Sequence, residues 1–396
     1  MSVRPNARPV GQKPPFWRDR AKRALIFQFL LIAAVIAFLF YIVGNVQDNL
    51  SSRGITTGFG FLNNTAGFGI VQSLIDYSSQ STYGRTFFVG LLNTLLVGAL
   101  GVIAATIIGF IVGIARLSPN WLIARLATAY IETFRNIPLL LQIFFWYFAV
   151  LRTLPSARDS LALGEVIFLN VRGLYLPGPL FESGFGLIPV TFIAAIIASI
   201  ALVIWNKRRQ EATGQRLPAY WISFAMIFGL PLLVMFATGV PITWDVPELR
   251  GFNFRGGITV IPEFLALWFA LSIYTAAFIA EIVRSGIQAI PHGQTEAAQA
   301  LSLPRNLVLR LVVIPQALRV IIPPLTSQYL NLIKNSSLAT AIGYPDLVSV
   351  FAGTTLNQTG QAIEVIAMTM AVYLTISLLV SMFMNWFNAR VALVER

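Results

Sequence analysis

Eight stretches of this sequence, 25–43, 87–115, 137–151, 186–205, 219–238, 263–283, 320–342 and 363–386, are apolar and nearly free of charge. Most are long enough to cross the ~30 Å hydrocarbon core of a bilayer as a helix. Inside lipid every backbone N–H and C=O must be satisfied within the chain, which leaves helices or a closed barrel. Runs of this length without strand alternation are helices. With 56% of the residues hydrophobic, 11% charged and a mean hydropathy of +0.74, there is more apolar surface than a soluble core of this size hides. The expectation is an all-α polytopic membrane protein of about eight transmembrane helices.

The charges between these runs are not scattered. Arg4, Arg8, Lys13, Arg18, Arg20, Lys22 and Arg23 precede the first run, and Lys207, Arg208, Arg209 and Arg216 sit between the fourth and fifth. The net charge of +12 therefore marks cytoplasmic loops rather than a nucleic-acid face. Most other Lys and Arg fall in 116–135, 284–319 and the last residues. Both termini are then cytoplasmic. The first run has no small-residue exit, since Gly44-Asn45-Val46-Gln47 follows it, and reads as a permanent anchor rather than a signal peptide. The absence of cysteine excludes a disulfide framework and a thiolate metal site, and the single His292, beside Gly293 in a turn, argues against a histidine-built metal centre.

In order, 1–24 is a cytoplasmic tail, 25–43 an anchor helix, and 49–85 an outside segment with a surface helix expected around 69–77. The second span carries Gly109-x-x-x-Gly113, a spacing that lets helices approach closely. Residues 153–184 and 240–262 read as irregular outside loops around an added pair of spans, 186–238. Lys334 in the seventh run is costly unless paired or near an interface. Residues 343–361, with Asp346 and no Lys or Arg, read as an outside loop.

The stretch 286–324 interrupts the apolar runs with a polar, basic segment. Residues 295–301 are good helix formers behind Pro291 and Gly293, which end the incoming helix. Ser302 can cap a second helix with Pro304 in its first turn. There Leu307, Leu311 and Ile314 make an apolar face while Arg305 and Arg310 stay toward water. Taken alone, the segment also fits a plain cytoplasmic loop, and its turn has some likeness to a helix-turn-helix, which flanking spans would pin to a bilayer.

Glu296-Ala297-Ala298, three residues, Ser302, nine residues, then Val312, one residue, Ile314 and Pro315 resembles the EAA loop of the membrane subunits of bacterial ATP-binding-cassette (ABC) importers. The family pattern has Gly in place of Ser302, which leaves open how sharp the bend is. Glu132-Thr133-Phe134-Arg135, then Pro138 and Gln142, resembles the E-x-F-R-x-x-P-x-x-x-Q run of the polar amino acid branch. The run from Tyr274 to Arg284, with Glu281, is similar to Y-T-A-A-x-x-A-E-x-x-R, and Asn331 to Ser337 is again family-like. The added spans resemble those of the longer general L-amino acid permeases.

The resemblance implies a type I importer permease core over 87–388, interrupted by the inserted helix pair, with the coupling loop at 286–315. It implies a subunit of the bacterial inner membrane that moves L-amino acids from periplasm to cytoplasm. The implied partners are an ABC ATPase dimer, a second permease in a heterodimer, a periplasmic amino-acid-binding protein and the lipid bilayer, with no nucleic acid. Contact with the ATPase would fall to Glu296, Ala297, Ala298, Leu301, Ser302, Pro304 and Pro315. No cofactor is expected on this chain, because it has no G-x-x-x-x-G-K-[ST] and none of its lysines follows a glycine. ATP and Mg would be used by the partner subunits, so the chain is not itself an enzyme.

Glu132 with Arg135, and Glu281 with Arg284, are each one helical turn apart and are expected to pair. Asn93, Gln142, Gln328 and Asn331 are amides in or near spans, where an unpartnered polar group faces a helix neighbour or a wet path. Both readings stay open. An ion-driven secondary transporter is the alternative function, but it calls for paired carboxylates at mid-membrane, whereas Glu281 and Glu364 are isolated and lie near span ends. A purely structural scaffold would leave the loop at 286–315 without purpose.

Overall fold

A computed structural model of the chain describes residues 20–52, 57–215 and 217–391. The tail up to residue 19, Arg216 and Arg396 lie outside the described residues. Helix α1 (Arg20–Ser52) begins inside the segment read as a tail, and none of its apolar stretch is buried among the described residues. Residues 69–77 are not a helix. Local bonds compete with helix formation there: Ser73 Oγ donates to the Ile75 carbonyl and Tyr77 Oη to that of Phe68.

Helix α2 (Tyr83–Arg116) starts at Thr82, whose hydroxyl accepts from the Arg85 N–H. Helix α3 (Trp121–Asn136) occupies the segment read as a cytoplasmic loop and is capped by Asn120. It ends before Ile137-Pro138, because the proline holds Ile137 in an extended conformation. Helix α4 (Leu139–Phe144) then continues through a π-helical stretch to Thr153, bent from α3 by 105°. The third span is thus one limb of a bent pair.

The two stretches read as irregular loops hold short strands. Strands β1 (Leu161–Leu163), β2 (Ile167–Asn170), β3 (Gly173–Leu176) and β4 (Gly178–Phe181) lead to α5 (Leu187–Thr213), α6 (Ala219–Phe224) and α7 (Leu230–Ala237). Strands β5 (Ile242–Asp245), β6 (Glu248–Arg250), β7 (Asn253–Arg255) and β8 (Ile258–Val260) follow. One sheet has the order β1-β2-β3-β8, and β4 pairs with β5, all antiparallel. The expectation of an all-α polytopic fold is met, and to the helices the structure adds a small β platform through which the inserted spans leave and return.

Helix α8 (Pro262–Gln288) is the most buried span. Pro262 suits its first turn and Glu263 complements the positive helix end. Against it lie Gly109 and Gly113 of α2. A Cβ on Gly109 would fall 2.6 Å from Ile279, and one on Gly113 2.6 Å from the Ala280 carbonyl. The paired glycines thus bring α2 and α8 into backbone contact over a core that includes Val97, Ala105, Leu267, Leu271 and Ile279.

After α8 come α9 (His292–Ala300), α10 (Arg305–Val308), a π-helical turn (Leu309–Val313) and α11 (Ile314–Asn335), which runs on as a tighter helix to Ile342. The seventh span begins fifteen residues earlier than its apolar run suggests, since 305–342 forms one continuous helical stretch. Residues 343–361, read as an outside loop, contain a π-helical segment (Val348–Thr355) leading into α12 (Leu356–Thr359), before α13 (Ala362–Val391). Among the described residues seven helices are long and apolar enough to cross a membrane, and eight if the bent pair counts as one span.

Candidate coupling element and translocation cleft

The segment 292–313 folds as a helical hairpin with a small core of its own. Ala298, Val308 and Val313 are buried together under Leu303, Ile287 and Ile290. The turn is made by Ser302 at φ +59°. Its N–H donates to the Gln299 carbonyl at 2.8 Å and the Leu303 N–H to that of Ala298 at 3.3 Å. These two bonds with a left-handed residue between them form a Schellman ending. Ser302 thus closes α9 in the conformation usually left to glycine. The expected cap on α10 is corrected: the N-cap of that helix is Pro304, with no side-chain bond.

The three residues of the EAA run are not equivalent. Ala298 points into the hairpin core, while Glu296 and Ala297 are exposed. Gly293, Ala297, Ala300 and Leu301 recur at helical spacing and are all exposed, Leu301 at 78%. They form a narrow outer face of small residues ending in one leucine.

The expected apolar face of the second helix is also corrected. Leu311 and Ile314 are 59% and 50% exposed, and Val308 and Val313 are buried instead. A π turn has a longer period than an α turn, so residues five apart share a face across Leu309–Val313. Pro315, which lacks an N–H, lies in the first turn of α11, one residue beyond Ile314, which follows this widened turn.

At the ends of α2, α3 and α8 a set of charges converges. Arg116 donates to Glu281 Oε2 at 2.5 Å and lies 3.7 Å from Glu132. Arg284 holds Glu281 through both Nε and Nη2 and also donates to Gln288. The Glu281–Arg284 pair joins as the sequence suggests. Glu132 and Arg135 do not pair with each other: the Arg135 guanidinium lies over the Phe278 ring, 5.2 Å from its centre. Arg116, the unselected member, takes the place of Arg135, and its only signal was its position at the end of a span.

Two of the four amides bind backbone. Asn93 is fully buried, and its Nδ2 donates to the Gln72 and Pro345 carbonyls. Gln142 Nε2 donates to the carbonyls of Phe134 and Ile137, satisfying the end of α3 across the bend. Gln328 is half-buried and Asn331 exposed, both on α11. One turn beyond Asn331 on that face, exposed Lys334 borders a cleft of about 500 Å³ with Ser337, Thr369, Tyr373 and Ser377. Val348, Met370 and Leu374 complete the lining, so that a cation and several hydroxyls give an otherwise apolar cleft a polar edge.

Behind this wall Asp346 is fully buried. The sequence reading placed it only in a loop; its position after Pro345 and before a helix is the signal that would have marked it as a cap, since its Oδ1 accepts from the Ser349 N–H at 2.8 Å.

A bundle of spans with a helical hairpin built into its longest helix, and with a polar cleft on that same helix, is the arrangement of a transport permease. Residues 212–393 match the family described as "Binding-protein-dependent transport system inner membrane component". The putative amino-acid ABC transporter permease YhdX of Escherichia coli is 59% identical over 374 residues, covering 94% of this chain and 95% of that one. The general L-amino acid transport system permease AapQ of Rhizobium johnstonii is 55% identical, covering 96% and 94%. The glutamate/glutamine/aspartate/asparagine transport system permease BztB of Rhodobacter capsulatus is 42% identical, covering 96% of each chain. The chain belongs to this family of amino-acid ABC transporter permeases. Nothing in these similarities supports the ion-driven alternative.

Proposed function

We propose that the chain is the membrane subunit through which an ABC importer moves L-amino acids inward, driven by ATP hydrolysis in partner ATPases. The observation that carries this is one of continuity. The second limb of the hairpin, which follows the turn at Ser302, and the cleft at Lys334 belong to a single helical stretch, 305–342. From Val313 to Lys334 is about 30 Å at 1.5 Å per residue. A push on the outer face of α9 therefore reaches the cleft wall as a lever, and Pro323-Pro324 inside α11 give it a place to bend. The outer face (Gly293, Ala297, Ala300 and Leu301, with Glu296 beside it) enters a groove of the ATPase, and Ser302 and Pro304 set its angle. ATP and Mg belong to that partner.

In the cleft, Lys334 pairs with the substrate carboxylate, while the neighbouring hydroxyls and Asn331 serve the ammonium group. Gln328 and Asn331 keep a role in the path. Asn93 and Gln142 act as braces. A second, related permease supplies the facing wall, and an amino-acid-binding protein delivers substrate from the periplasmic side.

The test is uptake by the complex reconstituted in vesicles. Labelled L-amino acid should enter only with ATP on the hairpin side and loaded binding protein on the other. Uptake driven by an ion gradient without ATP would overturn the proposal. Orientation is read separately in this cysteine-free chain. Cysteines placed at exposed Ser183 and Asn357 should react from the periplasm, and one at exposed Gln215 should not.

A further inference from the structure

Asp346 has no evident place in the coupling path, yet it is the most deeply buried carboxylate among the described residues, in the segment between α11 and α13. Among the described residues no Lys or Arg forms an ion pair with it. The residues on either side are tied to α2: Asn93 Nδ2 donates to the Pro345 carbonyl at 2.9 Å, and the Leu347 N–H donates to Thr94 Oγ1 at 3.0 Å. The Tyr344 hydroxyl donates to the Asn93 carbonyl at 3.1 Å. The backbone at 345–347 is therefore anchored without help from the carboxylate.

What the carboxylate itself holds is the cleft wall. Oδ1 accepts from the Ser349 N–H, starting the helix that carries Val348, and Oδ2 lies 3.4 Å from the Tyr373 hydroxyl, which donates to it. Val348 and Tyr373 both line the cleft that holds Lys334. We propose that Asp346 is a positioning residue for the cleft, a hidden carboxylate that fixes the Tyr373 ring from one side and the Val348 segment from the other, so that its ionisation sets substrate affinity. This rests on the cleft being the amino-acid path proposed above.

The facing groups make such a response available near neutral pH. Tyr344 lies on the same segment, Tyr373 comes from α13, and the α2 contribution, Asn93 and Thr94, is uncharged. Lys334 stands across the cleft, exposed and unpaired with Asp346. Burial pushes the Asp346 carboxyl up to about 7, against the opposing pull of the Ser349 and Val348 N–H groups and the Tyr373 hydroxyl. Ionised, it accepts from the phenol and holds the ring. Protonated on Oδ2, it donates to the phenol oxygen instead, and the charge-assisted hydrogen bond that held the ring is lost.

The experiment measures uptake in vesicles with equal pH on both sides, between about 6 and about 8, for wild type, Asp346→Asn, Tyr373→Phe and the double variant. Wild-type KM should rise about five-fold toward the acid end, as expected for losing one charge-assisted hydrogen bond in the wall, with kcat changed much less. Asp346→Asn and Tyr373→Phe should each show the raised KM at every pH, and the double variant should be no worse than either. Should Asp346→Asn fail to assemble, Tyr373→Phe carries the test alone. A Tyr373→Phe transporter that keeps the wild-type pH response, or additive losses in the double variant, overturns the proposal.

A readout free of any substrate separates this from the proposed function. Val348→Cys is alkylated in the Asp346 and in the Asp346→Asn background. The ratio of the two rates should change about five-fold over the same pH range. An unchanging ratio overturns the positioning role whatever the chain transports. A changing ratio in vesicles that take up no amino acid supports positioning and sinks the substrate reading instead.

Discussion

Arg116, the last residue of α2, donates to Glu281 of α8 at 2.5 Å while its other terminal nitrogen lies 3.7 Å from Glu132 of α3. One guanidinium thus joins three helices separated by up to 165 positions in the chain. The two halves of the contact should not weigh equally. Glu281 is three-quarters covered, whereas the Glu132 side chain is 56% exposed. Arg116→Met should cost about 1–3 kcal/mol by leaving Glu281 with one partner fewer. Glu132→Gln should stay within about 0.5 kcal/mol. Thermal unfolding of the purified protein in detergent compares them, and equal losses would refute the ranking.

Ser302 holds a left-handed conformation that costs a non-glycine residue about 1–2 kcal/mol. Ser302→Gly should therefore firm the hairpin by about 0.5–1 kcal/mol after the added freedom of the unfolded chain is subtracted. Ser302→Val should loosen it by more, because β-branching disfavours positive φ. Amide hydrogen exchange at Leu303 and Val308 reports both changes. Slower exchange in the valine variant would count against the assignment.

Ala297 and Ala298 are adjacent but face opposite ways. Ala298→Trp should overpack the core it shares with Val308 and Val313, costing about 1–3 kcal/mol and unfolding the hairpin itself. Ala297→Trp should leave the hairpin folded, yet abolish uptake by obstructing the ATPase groove. Limited proteolysis of the hairpin, read beside uptake, distinguishes a broken element from a blocked one.

The buried Asp346 carboxyl gives stability a pH dependence of definite sign. Its folded value of about 7 lies above its ordinary value of 3.8, so the folded chain binds the proton more tightly than the unfolded chain does. Between these values the folded state holds more protons, and stability falls as pH rises. The full span is worth on the order of 4 kcal/mol. Asp346→Asn should remove this slope between about pH 4 and 7, as measured by Tm in detergent.

The long apolar runs, the hairpin at 286–315 and the Glu281–Arg284 pair were legible because each depends on residues close together in sequence. The parts that were not legible depend on something else. Leu307, Leu311 and Ile314 were selected on an α period, and the π turn at Leu309–Val313 moved the buried face to Val308 and Val313. Glu132 met Arg116 rather than Arg135 through the packing of α3 on α2, which no local spacing encodes. The strands between 161 and 181 are only three or four residues long, too short for an alternation to register, and are held by partners more than sixty residues away in the case of β4 and β5. Asn93 and Gln142 were selected as amides within apolar runs, with a path role and a bracing role both open. Their type alone could not reveal that backbone carbonyls would occupy their donors.

In the β platform, Gly178 stands directly opposite Asp245, and Phe181 opposite Ile242. Chain partners across such a ladder are about 5 Å apart. Everything between Phe181 and Ile242, two membrane crossings included, thus departs and returns at a single doorway. Cutting this excursion out and joining the doorposts with a tight turn would leave every other connection where it is. The same geometry lets a shorter ancestor accept such an excursion in one step, or a descendant lose it, without rerouting the remaining helices.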